Sequence, residues 1–401
     1  MTYHSMSTVI AVPSAASSQR RMLILLFAGF VLTGVATVIV GPVLPVFISR
    51  WGLDDSQAGL FFTVQFAMSL GGVLLSGVLT SRWGFRPALL LGYLAISIGL
   101  GTLNASRHEA ALLATALFGG GYGLVIPGTN LLVAESGGTR SASLLSLLNF
   151  SWGIGAVACS PLILLALRNH FLPALLMTYA IIGGIFTLAF FFVPFVAEKR
   201  AESGASGASG APAAAIPALW ITVALAALFF LYVGMETSIG GWSAEHAKRL
   251  VKGTSLITTL APMFFYAGLT IGRALAPMAL LRLRERQLVF AALGIASIGT
   301  TMVIASNTLP QALGGMALAG FGCASIYPIY IAWFSRWYGA AARGLGSIVF
   351  SVASLGGAAV PWVVGVVSKE AGSLRIGLLV PLFGAVVMLG ILALLRRQTA
   401  A

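Results

Sequence analysis

Apolar residues in this chain are gathered into twelve blocks, each close to the roughly 20 residues that an α-helix needs to cross a bilayer. The blocks fall at about 22–47, 56–80, 87–105, 111–133, 142–167, 172–196, 217–240, 256–281, 288–306, 311–334, 345–367 and 375–395. Strands of a membrane barrel alternate apolar and polar residues, and these blocks do not, so helix is the expected conformation. A soluble fold is excluded by its surface. Only 8% of the residues are charged and 58% are hydrophobic, whereas soluble domains carry about 25% charged residues. Short connections are all that remain between the blocks, which leaves no room for a soluble catalytic domain. The sequence therefore describes an all-α membrane protein with twelve transmembrane helices.

The chain divides at its middle. Residues 1–21 form a polar tail, 22–197 a first six-helix bundle, 198–216 a linker, 217–396 a second six-helix bundle, and 397–401 a short tail. The linker holds a Gly/Ser/Ala-rich run from Glu202 to Pro212, a composition that makes flexible connections. Seven glycines of the first half have a glycine partner 201 residues later: Gly52/Gly253, Gly71/Gly272, Gly119/Gly320, Gly121/Gly322, Gly138/Gly339, Gly155/Gly356 and Gly183/Gly384. Pro127 and Pro328 keep the same offset. The two bundles are thus expected to be pseudo-symmetric repeats, and such repeats place a binding site at their seam.

The net charge of +13 follows from the positive-inside rule and calls for no nucleic acid. Fourteen of the 23 basic residues fall on the face that carries the termini, eight fall on the opposite face, and Arg273 falls within a span. Both termini are expected to be cytoplasmic. The stretch 242–253, with Glu245, His246, Lys248 and Arg249, is expected to be an outside loop with a solvated face. Cys159 and Cys323 fall inside spans and are expected to pack as small residues. The four histidines fall in the tail or in outside loops. No nucleotide loop, H-E-x-x-H or Cys/His metal cluster is present, so no catalytic residue, metal or cofactor is expected.

The loop after the second block reads Gly77-Val-Leu79-Thr-Ser81-Arg82-Trp-Gly84-Phe-Arg86. It resembles the signature loop of the major facilitator superfamily, with Ser81 where the family has an acid. The run Glu135-Ser-Gly-Gly-Thr-Arg140 resembles the cytoplasmic charge cluster of sugar porters. The resemblance implies the major facilitator fold and a cytoplasmic gate built from Arg82, Arg86, Glu135 and Arg140. It also puts the latch that the missing acid makes in doubt. A salt bridge from Glu135 to Arg82, Arg86 or Arg140 and a role in coupling are the alternatives for that acid. In the second half, Tyr232-Val-Gly234-Met-Glu236 through Trp242 resembles the seventh helix of fucose-permease-like and sodium-dependent-glucose-transporter-like proteins. Phe265-Tyr266 through Gly272-Arg273 resembles their eighth helix, and Gly320-Phe-Gly322 through Tyr327-Pro328 their tenth. This narrower likeness implies a hexose-like sugar moved by alternating access, with helices one, four, seven and ten lining the cavity. A drug or metabolite exporter of the same fold and a transport-inactive scaffold or sensor are the alternatives.

Charges buried in a bilayer are costly and point to function by default. Glu236 either binds substrate or the coupling ion, or reaches the outer water layer or a loop cation. Its place about 28 Å along the seventh helix is expected to be in the outer part. Arg273 either serves substrate or gating, or ties helices together, and the expected axial difference of roughly 16 Å argues against its pairing with Glu236. Sugar hydroxyls pair with amides and phenols, and a pyranose face stacks on an aromatic ring. Asn130, Asn149, Trp152, Tyr266, Tyr327 and Trp333 are the neutral candidates, with Gln65 behind them. The first span offers Thr33 and Thr37 and no acid, which leaves coupling to sodium, coupling to protons or simple facilitation open. The expected partners are a small-molecule substrate and the lipid bilayer, and the expected state is a monomer.

Overall fold

The computed structural model describes residues 15–137, 141–193, 219–251, 256–338 and 342–398. The expected linker 198–216 and Arg140 lie outside these residues. Twelve helical spans long and apolar enough to cross a membrane are present, and no strand occurs among the described residues. The chain enters helix at Ala15, within the expected tail.

The repeat is visible in the packing. Span two lies on span four, three on four and one on five, while eight lies on ten, nine on ten and seven on eleven. Glycines set these crossings. A Cβ on Gly119 would overlap the Gln65 carbonyl oxygen, and one on Gly320 the Phe265 carbonyl oxygen. Gly121 faces Gly92 and Ile96, and Gly322 faces Ala292 and Ala296. Gly155 meets the Val31 carbonyl and Gly356 the Phe230 carbonyl. Small residues let backbones approach to this distance, which is how membrane helices gain dispersion contact without a hydrophobic drive.

Two registers differ from the constant offset of 201. Gly72 rather than Gly71 is the counterpart of Gly272: Gly72 meets Gly120 and Gly123, Gly272 meets Phe321 and Ala324, and nothing lies near Gly71. The first helices of the halves are aligned at an offset of 199 (Val31 to Phe230). Gly183 and Gly384 meet unrelated neighbours, Ser97 and Leu231. We expect Gly155→Ala to lower the unfolding free energy by about 2 kcal/mol, because its obstacle is a backbone carbonyl that cannot rotate away. Gly71→Ala, with open space around it, is expected to stay within about 0.5 kcal/mol of the parent in thermal unfolding in detergent.

Two spans break near the middle of the membrane. Span one is interrupted at Ile39, between Ala15–Val38 and Val40–Trp51. Span ten is interrupted at Ala324 and Ser325, between Leu309–Cys323 and Ile326–Tyr338. Broken helices are tolerated at membrane depth where they line a cavity.

Span seven differs most from expectation. It runs as one helix from Leu219 to Leu250, and every residue from Ser238 to Ala247 is buried. The stretch 242–250 is therefore helix, buried as far as Ala247, and not a solvated loop. Its burial comes from both halves: Trp242 donates to the Pro361 carbonyl of span eleven and meets the Phe62 ring of span two, and span one packs alongside. His246, expected in a loop, is 2% exposed and its Nε2 lies 2.9 Å from the Val303 carbonyl oxygen.

Candidate functional site

The longer span seven moves Glu236 to the centre. Helix continues for 14 residues beyond it, about 21 Å at 1.5 Å per residue. Glu236 therefore sits mid-helix and not in the outer part. Its carboxylate lies against the Tyr232 hydroxyl, which donates to the Cys323 carbonyl oxygen at 3.0 Å. Arg273 of span eight reaches the same level. Both charges act on Tyr232, Tyr266, Tyr327 and Cys323. The structure thus brings Glu236 and Arg273 into one cluster, yet no ion pair joins them.

The first half closes the cluster with Trp152. The Arg273 guanidinium carbon stands 5.4 Å from the centre of the Trp152 ring. The Tyr266 ring meets Trp152 edge-on at 6.1 Å. Cation–π and edge-to-face contacts of this kind hold rings in fixed orientation. The Trp152 indole N–H points to Thr37 Oγ1 at 3.4 Å, and Gln65 Nε2 donates to the Thr37 carbonyl at 2.8 Å. At the span-one offset of 199, Thr37 is the counterpart of Glu236. One half therefore presents a hydroxyl where the other presents a carboxylate.

Four of the eight sequence candidates on the inner wall meet here in addition to Trp152: Glu236, Tyr266, Arg273 and Tyr327. Three do not. Asn130 and Asn149 donate to carbonyls of their own helices, Ile126 at 2.8 Å and Leu145 at 2.9 Å. Trp333 donates its indole N–H to Glu285 Oε2 at 2.7 Å, and Glu285 also holds Arg336. Trp333 thus continues an aromatic ladder, Tyr327–Tyr232–Tyr330–Trp333–Trp337, from the cluster toward the face that carries the termini. Tyr232, Thr37 and Gln65 complete the cluster. Tyr232 lies one helical turn from Glu236, a spacing that marks it as a neighbour on the same face.

The opposite face, distal to the termini, is closed by a polar latch. Arg249 of span seven clasps Asp55 at the start of span two with both terminal nitrogens, Nη1 at 2.9 Å from Oδ2. Ser368 of span eleven donates to the same carboxylate. Lys369 sits 3.2 Å from Asp54, and Lys248 donates to Ser49 at 2.6 Å and to the Pro45 carbonyl at 3.1 Å. Below the latch, Thr63 donates to the Ala358 carbonyl at 2.9 Å, and Gly357 lies against the Phe66 ring. A hydrogen bond from Ser56 holds the Asp54 carboxyl down at about 2, with help from the Gln57 N–H and Lys369. A depressed carboxyl contributes above its ordinary value of 3.8 and loses that contribution as pH falls through about 2; the Lys369 contact therefore persists through the neutral range.

The ion pairs that join the halves among the described residues, Arg249–Asp55 and Lys369–Asp54, both lie on the distal face. Ala261, Pro262, Phe265, Tyr266, Gly268, Leu269 and Gly272 of span eight are buried, but no residue from Ala274 to Leu281 is. Arg82, Arg86 and Glu135 of the expected gate are among the described residues. Glu135 and Arg82 are exposed, Glu135 pairs with neither Arg82 nor Arg86 among the described residues, and Arg86 donates to the Val193 carbonyl of its own half at 3.0 Å. Ser81 caps its own helix by donating to the Val78 carbonyl at 3.0 Å.

A sequence profile described as Major Facilitator Superfamily matches residues 26–277. The chain belongs to the major facilitator superfamily. Among its curated relatives, the glucose/mannose transporter GlcP of Bacillus subtilis is 24% identical over 390 residues, 92% of this chain and 94% of the relative. The multidrug resistance protein MdtG of Yersinia enterocolitica is 28% identical over 182 residues, 43% of this chain and 44% of the relative. The crystal structure of a D-xylose-proton symporter superposes with a TM-score of 0.72 at 16% identity, covering 92% of this chain and 96% of that one. The expected fold is shown by these matches together with the twelve spans.

Proposed function

We propose that this transporter carries a hexose-like sugar across the membrane by alternating access, around the cluster formed by Trp152, Glu236, Tyr266, Arg273 and Tyr327. The observation that carries the reading is the chemistry of that cluster. A carboxylate and a guanidinium offer acceptors and donors for hydroxyls, and a half-buried indole offers a face for a sugar ring. The relative that extends over nearly the whole chain is a glucose/mannose transporter. The drug-exporter relative matches less than half of it, and a wide apolar cavity suited to drugs is not what Glu236 and Arg273 line.

The distal face is latched by ion pairs between the halves, and among the described residues no such pair joins them on the face of the termini. With both termini in the cytoplasm, as the distribution of Lys and Arg favours, this is an inward-facing state of a monomer in a bacterial inner membrane. Rocking of the halves exchanges it for the opposite state. The site needs no cofactor, and the gradient that drives it is sodium, protons or the sugar's own.

The test is uptake of radiolabelled glucose, mannose and xylose into proteoliposomes, with and without sodium and pH gradients. Glu236→Gln is expected to lower sugar uptake by about tenfold, the loss of one charge-assisted hydrogen bond. Uptake that never exceeds empty liposomes would overturn the sugar reading. Unchanged uptake by Glu236→Gln would remove Glu236 from it.

A further inference from the structure

Two opposite charges share the central cluster without neutralising each other. Among the described residues neither Glu236 nor Arg273 has an ion-pair partner. The Arg273 Nε is buried and has no hydrogen-bond partner, although a guanidinium stays charged in a membrane and requires acceptors. Its guanidinium carbon stands 5.4 Å from the centre of the Trp152 ring, which offers no acceptor for that donor. Three phenols and a thiol, Tyr232, Tyr266, Tyr327 and Cys323, lie near both residues.

We infer that Glu236 and Arg273 act together as a charge filter that admits neutral sugars and rejects both acidic and amino sugars. This rests on the proposal that the solute is a sugar. A neutral polyol satisfies both ends at once: its hydroxyls donate to the Glu236 carboxylate and its oxygens accept from Arg273. A hexuronate gains from Arg273 but brings a second anion beside Glu236. A hexosamine gains from Glu236 but brings a second cation beside Arg273. Like charges placed together cost several kcal/mol away from water, so each wrong substrate is refused by the residue that would not pair with it. Discrimination here is a property of two residues and not of pocket shape.

Removing one end should redirect the filter. Purified protein in detergent is titrated by calorimetry with D-glucose, D-glucuronate and protonated D-glucosamine. The parent is expected to bind glucose and to bind each charged sugar about 10- to 100-fold more weakly. Glu236→Gln is expected to bring glucuronate to within about threefold of glucose while still refusing glucosamine. Arg273→Gln is expected to do the reverse. Arg273→Lys keeps the cation, should keep refusing glucosamine, and guards against a folding failure of the glutamine variant; thermal unfolding is recorded for all three. A parent that binds either charged sugar as tightly as glucose overturns the filter, and so do variants whose charged-sugar preference does not move. A parent that binds none of the three sugars, and neither mannose nor xylose, overturns the sugar reading itself and the filter with it.

Discussion

Asp55→Asn is expected to release the distal face. Asp55 is where three helices meet: it opens span two and receives Arg249 from span seven and Ser368 from span eleven. The Asp55 side chain is 11% exposed and that of Arg249 36%, so part of the attraction is screened by solvent. We put the loss at about 2–3 kcal/mol, a shift of roughly 30- to 150-fold in the balance between closed and open distal faces. The chain allows this to be measured simply, because Cys159 and Cys323 are both buried. A cysteine introduced at Ala358, which is 5% exposed behind the latch, should react with a membrane-impermeant maleimide far faster in the Asp55→Asn background. High salt should raise the parent's rate and leave the variant's nearly unchanged. In a double-mutant cycle, Arg249→Gln should add little to Asp55→Asn. Equal labelling rates in parent and variant would mean that the latch does not hold the closed state.

Trp152→Ala should weaken sugar binding by about 3 kcal/mol, or roughly 150-fold, as expected for a large aromatic at the centre of a binding surface. Trp152, from the first half, contacts both Tyr266 and Arg273. Its loss removes the stacking face and also the support beneath the guanidinium. Trp152→Phe keeps a ring but has no N–H for Thr37, and is expected to lose only about 1 kcal/mol. A calorimetric titration in which Trp152→Ala binds as the parent does would place the sugar elsewhere.

What could be read from the sequence followed the range of each interaction. Helix number and the repeat were legible because bilayer thickness and backbone contact act locally: a glycine that touches a carbonyl tolerates no Cβ wherever it lies. Even so, a constant offset misaligned Gly71 with Gly272, since a one-residue shift in span two is invisible until Gly72 is seen against Gly120. Glu236 and Arg273 were legible from the cost of burying charge. Their proximity was not, because it depends on span seven continuing to Leu250. That continuation was hidden by a stretch whose Glu, His, Lys and Arg suit a loop, and which is buried by partners distant in sequence, Pro361 and Val303 in its own half and Phe62 in the other. For the same reason the latch was missed: Asp55 and Arg249 are 194 residues apart, and each taken alone is an ordinary charge at a helix end. Asn130, Asn149 and Trp333 were reasonable by type, but Asn130 and Asn149 donate within their own helices and Trp333 donates to Glu285.

The placement of Trp152 has an optical consequence. Indole emission responds to nearby charge and to water, and this half-buried ring lies against a guanidinium and beside a phenol. The other described tryptophans near the interior are engaged elsewhere: Trp242 donates to the Pro361 carbonyl at 3.0 Å, and Trp333 is held by Glu285 and stacked on Trp337. Occupancy of the cluster should therefore alter the protein's ultraviolet fluorescence mainly through one residue. The unlabelled molecule carries its own reporter, and solutes of any class can be screened against it before a substrate is known.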